Sequence, residues 1–182
     1  VRQFVEVLLE RGDKETSAAI LKNYYECLDA KDAEPRRKTA IGLSQLADLF
    51  TATGTETLGS AISKIGEALS KESDPELQSL LSAAFVRLAS EASNSKQYKA
   101  IGAVCSAMEA VAKQRPVLAQ ELRPRIGVEN RLPEFIEEAL RLPQVPADLL
   151  EVLKRTSQAA VDHLADRFFR RRIPGVSHAG GR

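Results

Sequence analysis

Apolar residues recur at helical spacing almost without a break from Phe4 to about residue 172. A chain with that period cannot be laid out as a half-buried sheet, whose faces need a period of two. Leu58, Ile62, Ile65 and Leu69 follow steps of four, three and four, which places them in one stripe on a helix. Composition agrees with this. There is no Trp, with three Tyr and six Phe, so Ala and Leu carry most of the apolar surface and suit closely spaced helices. The reading is therefore all-α.

Start and stop signals divide the period into helices. Phe4, Leu8 and Leu9 mark a short first helix that ends at Gly12. Asp13 is placed to cap a second, reaching about Ala30, with Ile20, Leu21, Tyr24 and Leu28 on its apolar face. Pro35 fits the first turn of a third helix that runs through Leu43, Leu46, Ala47 and Phe50 to Gly54. Thr55 is placed to cap a fourth. Asp74-Pro75-Glu76 combines a capping carboxylate, a proline in the first turn and an acid near the positive helix end. Leu77, Leu80, Leu81, Ala84, Phe85 and Leu88 give that helix its apolar face. After Asn94-Ser95 the next carries Ile101, Val104, Cys105, Met108 and Val111, stopping before Pro116.

These helices repeat. Ala61-Ile62 and Glu67 to Lys71 align with Ala103-Val104 and Glu109 to Lys113, and Leu43, Leu46 and Ala47 align with Phe85, Leu88 and Ala89, all at an offset of 42 residues. Both helices of one hairpin thus match both helices of the next. On these residues the chain resembles the HEAT/armadillo-like helical repeat superfamily, whose units have this length. The resemblance covers about residues 35–114 and implies stacked antiparallel helical hairpins, a short α-solenoid. A non-repetitive helical bundle needs the same stripes and is the alternative. Glycines inside the helices, at Gly42, Gly59, Gly66 and Gly102, each cost up to about 1 kcal/mol of helix propensity, which close helix contact could offset.

The expected organisation is a single all-α domain over residues 1–172, with units at about 35–73 and 74–115 and an irregular capping region at 116–172. Pro116, Pro124, Pro133, Pro143 and Pro146 cut that region into short helices, at about 117–123 and 131–142, before a long one from Ala147 to about Arg172. Pro124 should prevent one regular helix around it. Residues 173–182, with Pro174, Gly175, Gly180 and Gly181, read as a flexible tail.

Little in the sequence points to chemistry. The 26 basic and 25 acidic residues leave a net charge of +1, less basic than most dedicated nucleic-acid binders. No apolar run approaches the ~20 residues that cross a bilayer, and Arg2, Glu6, Glu10 and Arg11 interrupt any leader-like start. The chain opens in an amphipathic pattern without an initiator Met, as a segment of something longer would. Cys27 and Cys105 fall inside helical patterns, share no motif spacing and read as small core residues of a protein in the cytoplasm or another reducing compartment. His163, near Asp162 and Asp166, reads as a surface helix residue, and His178 falls in the tail. No phosphate loop, CxxC or HExxH is present, so no cofactor, metal or catalytic role is assigned.

The expected function is that of a non-enzymatic protein-protein interaction or scaffold module, whose partner is another protein met on an extended helical surface. The alternative is nucleic-acid binding through two arginine clusters. One comprises Arg123, Arg125 and Arg131. The other comprises Arg167, Arg170, Arg171 and Arg172 beside Phe168 and Phe169. Arginine with adjacent aromatics can hold phosphates and stack on bases. Its plainer reading is a solvated helix end that offsets the negative terminal dipole.

Overall fold

The structure, a computed structural model, describes residues 1–142 and 144–156. The later part of the expected last helix, both histidines, Arg167, Arg170, Arg171, Arg172 and the expected tail lie outside these residues. Among the described residues every regular element is helical and no strand occurs. No helix among them is long and apolar enough to cross a membrane. Contacts divide the chain into two compact units, Val1–Arg131 and the residues from Leu132 on.

In the first unit α1 (Arg2–Glu10) and α2 (Lys14–Glu26) form a hairpin at Gly12, whose φ of 78° is left-handed. Asp13 caps α2, its carboxylate accepting from the Thr16 amide at 3.0 Å. The buried face of α2 differs from the sequence expectation. It runs through Ser17, Leu21 and Tyr25 to Leu28, while Ile20 and Tyr24 are half-buried. The shift comes from Tyr24. Its ring lies over Gly42 on the following helix, where a Cβ would fall 1.7 Å from its hydroxyl, and that hydroxyl donates to the Lys38 carbonyl at 3.3 Å. A tight 3-10 turn, Cys27–Asp29, closes the hairpin.

The helix expected from Pro35 to Gly54 is two helices, α3 (Ala33–Gln45) and α4 (Ala47–Thr53). Leu46, at φ −100° and ψ 8°, is the joint. In an unbroken helix Leu49 would point about 120° away from Leu43. With the break, Leu43, Leu46, Leu49 and Phe50 are all at most 5% exposed. Gly54, at φ 141° and ψ 167°, reverses the chain in a conformation only glycine adopts readily. This overrides the expected Thr55 cap. Thr55 is instead the first residue of α5 (Thr55–Lys71), with a buried hydroxyl that has no partner.

Asp74 caps α6 (Pro75–Asn94) as expected, accepting from the Glu76 and Leu77 amides at 2.9 and 3.3 Å. Lys96, at φ 53°, turns the chain into α7 (Tyr98–Gln114). Of the residues expected in the core here, Phe85, Leu88 and Ile101 are fully buried, and Leu80 and Met108 only partly. Pro124 does not interrupt α8 (Pro116–Ile126) but lies inside its last turn. A proline there forfeits only the bond to the Gln120 carbonyl, on an exposed residue, and the left-handed Gly127 ends the helix three residues later.

Helix α5 is packed against α2, α6 and most extensively α7, while α6 contacts α3, α4 and α8, and α4 contacts α1. In the second unit α9 (Leu132–Arg141) packs on α10 (Ala147–Thr156), with Phe135, Ala139, Leu149, Val152 and Leu153 buried.

Candidate partner-binding groove

Helix α5 carries small residues where other helices carry bulk, and they decide the shape of the surface it shares with α2 and α7. Gly59 and Gly66 face α7. A Cβ on Gly59 would touch the Ala100 Cα and Ala103 Cβ at ordinary distances of 3.6 and 3.7 Å. One on Gly66 would meet the Ala107 Cβ at 2.5 Å. The two helices are therefore as close as glycine facing alanine allows. Ser60 and Ser63, three residues apart on the exposed side of α5, leave a groove of about 450 Å³.

The groove has Gly59, Ala103, Tyr25 and Thr55 in its lining, the Thr55 hydroxyl itself being buried. Its rim is charged. Lys99 of α7 forms an ion pair with Glu56 of α5. Lys64 bonds Asp29 at 2.6 Å and stands 4.0 Å from Glu67, and Lys71 bonds Glu67 at 2.6 Å. Asp29 holds the Lys64 ammonium above its ordinary range, and Lys71, then Lys64, hold the Glu67 carboxyl below its own. Lys64 and Glu67 stay charged and paired at neutral pH.

Lys64 and Glu67 also border a second cavity of about 290 Å³, floored by Leu28, Leu77 and Leu81. Its far wall is the turn between α5 and α6. There Glu72, 7% exposed, takes Arg36 at 2.6 Å on one oxygen and the Ser73 and Asp74 amides at 3.0 and 2.9 Å on the other. Arg37 reaches Asp74 at 2.8 Å and Glu76 at 3.0 Å. The two arginines thus fasten α3 to the turn that starts α6.

The arginines singled out from sequence lie elsewhere. Arg123 and Arg125 are exposed on α8, and two residues apart on a helix they diverge by about 200°. Arg131 is half-buried and donates to the Asn94 side chain at 2.8 Å, at the end of α6. Arg167, Arg170, Arg171 and Arg172 are outside the described residues. Neither cysteine is in a disulfide; Cys105 is half-buried and Cys27 is exposed, contrary to its expected place in the core. The rotated buried face of α2 and the 3-10 turn carry it outward, where its sulfur donates to the Asn23 carbonyl at 3.4 Å. Among the described residues, no three His, Cys, Asp or Glu side chains converge so as to hold a metal ion.

Sequence reasoning passed over Ser60 and Ser63 and took Thr55 for a helix cap. The signal available was the run of small residues at 59, 60, 63 and 66, which leaves one side of a long helix without bulk. Comparison of the chain with family models, with curated proteins and with solved structures finds no match.

Proposed function

We propose that the chain is a non-enzymatic protein-interaction module of HEAT-like stacked hairpins, and that it holds a segment of a partner protein in the groove along α5. The observation that carries the reading is the order of packing. Helices α2, α5 and α7 neighbour one another in that sequence, as do α1, α4, α6 and α8, so each hairpin places its two helices against the matching helices of the next.

Burial repeats with the sequence. At the offset of 42 residues, Leu58 corresponds to Ala100, Ile62 to Val104, Ile65 to Ala107 and Leu69 to Val111, and every member is at most 6% exposed. Helix α3 starts at Ala33 and α6 at Pro75, 42 residues on. The register supports the reading over α5 and α7, while over α2 and α5 the same offset carries buried Leu21 and Tyr25 onto exposed Ser63 and Glu67.

The groove supports binding over catalysis because its floor is small and its rim is made of satisfied ion pairs. A side chain of a partner can enter between Tyr25 and Ala103, beside the exposed Ser60 and Ser63. The test is to fill the groove from the exposed serines. A Ser60→Arg/Ser63→Arg double variant should keep helicity and melting temperature while proteins captured by the parent chain from native cell extract are lost. Equal capture by both chains overturns the groove. Capture of nucleic acid by both, weakening steeply with salt, supports the arginine clusters instead.

A further inference from the structure

Ser60, Ser63, Lys64, Glu67, Ala68 and Lys71 of α5 follow the i, i+3, i+4 spacing of a single helix face, and none of them is buried. The first four line the groove, and the last four line the second cavity. The two depressions are therefore one trough along α5, with Lys64 and Glu67 as the sill between them. Its ends differ in chemistry. The groove end is lined by Gly59, Ala103 and Tyr25. At the cavity end Leu28, Leu77 and Leu81 are at most 6% exposed, so the open wall there is made by charged side chains, with Arg36 facing Lys64 and Lys71 across it.

Those charges are unequally satisfied. Glu72 is full, one oxygen taking Arg36 and the other two backbone amides. Asp29 and Glu67 are 66% and 54% exposed, so water completes them. The cations are covered more deeply, Lys64 to 20% and Arg36 to 28% exposure. Arg36 gives one bond, from Nη1 to Glu72, and its Nη2 has no acceptor among the described residues. Lys64 hydrogen-bonds Asp29 alone and Lys71 Glu67 alone. An ammonium has three N–H donors and a guanidinium five, so what the cavity has to spare is donors on half-covered cations. A carboxylate completes these best, through charge-assisted bonds. Resting on the groove reading above, we infer that the trough takes an extended peptide segment of the partner. The segment carries an aliphatic side chain for the groove end and, four residues away, an Asp or Glu carboxylate for Arg36, Lys64 and Lys71. The spacing follows from the helix. Gly59 at one end and Ala68 at the other are nine residues apart on α5, about 13 Å along its axis. Extended chain covers that in four residues at about 3.4 Å each, and an even spacing turns both side chains to the same face.

The probes are the peptide acetyl-Leu-Ala-Ala-Ala-Glu-amide and its reverse-order isomer, each with a control in which Lys replaces Glu. They are titrated into the isotope-labelled full chain and followed by the NMR signals of its backbone amides. One Glu peptide should move Gly59 and Ser60 together with Ala68 and Ser73, and bind severalfold tighter than its Lys control. Lys71→Gln should remove that advantage and leave the melting temperature unchanged, because an exposed ion pair adds little stability. Arg36→Gln should remove it as well, and Lys71→Gln carries the test if the loss of the Glu72 contact unfolds that variant. Equal binding of the Glu and Lys peptides overturns the inference. So does a Glu peptide that moves Gly59 and Ser60 but neither Ala68 nor Ser73, a result that leaves the groove reading standing. A Glu peptide that moves only Ala68 and Ser73, or none of the four, overturns the groove and the trough together.

Discussion

A Cβ placed on Gly66 would fall 2.5 Å from the Cβ of Ala107 and 3.2 Å from its Cα. The obstruction includes backbone, so it cannot be relieved by turning a side chain, and α5 and α7 must move apart. Gly66→Ala gains up to about 1 kcal/mol of helix propensity but overpacks a close contact, which costs about 1–3 kcal/mol. Net destabilisation is expected. Gly102→Ala meets nothing within 4 Å and Gly59→Ala meets only ordinary contacts, so Gly102→Ala should stabilise and Gly59→Ala should be neutral or better. Urea unfolding of the three variants checks the order, and a stabilising Gly66→Ala would contradict the packing of α5 on α7.

Phe85 is fully enclosed on α6, whereas Met108 is only partly covered on α7. Phe85→Ala should cost about 3–5 kcal/mol through lost transfer energy and the cavity left behind. Met108→Ala should cost clearly less, about 1 kcal/mol, since part of its surface is already in water. Equal losses in chemical denaturation would reject this assignment of the buried faces.

Glu72 joins α3 to the start of α6 through Arg36 and two backbone amides. Glu72→Ala leaves those donors without their acceptor and should cost about 2–3 kcal/mol, the range for hydrogen bonds to a charged group. Glu72→Gln keeps an acceptor and should cost less. A loss below about 0.5 kcal/mol for Glu72→Ala would show that water replaces the carboxylate without penalty.

Acid should destabilise the fold through a short set of carboxylates. Hydrogen bonding from Arg2 lowers the Asp48 pKa, Lys71 lowers that of Glu67, and the Leu77 amide, then Arg37, lower that of Asp74. A folded pKa below the unfolded one adds stability that is complete above the unfolded value, near pH 4, and is lost as pH falls through the folded value. The contribution of these groups to the urea midpoint should therefore be constant from pH 7 to about 5 and decline below about 4. The double variant Asp48→Asn/Glu67→Gln should begin lower and decline less. An unchanged slope in that variant would remove these two pairs from the account.

Helix content and the caps at Asp13 and Asp74 were legible in the sequence because they are local. A carboxylate beside free amides, and apolar residues spaced by three and four, act over one or two turns. Tertiary contacts decided the rest. Leu46 became a joint so that α4 could meet its neighbours, Tyr24 left the buried stripe to cover Gly42, and Cys27 was carried to the surface. The groove along α5 belongs to this second class. Ser60, Ser63 and Gly59 form it only because α2 and α7 lie on either side, and the distance between helices is fixed by the side chains of both, which no single stretch of sequence contains.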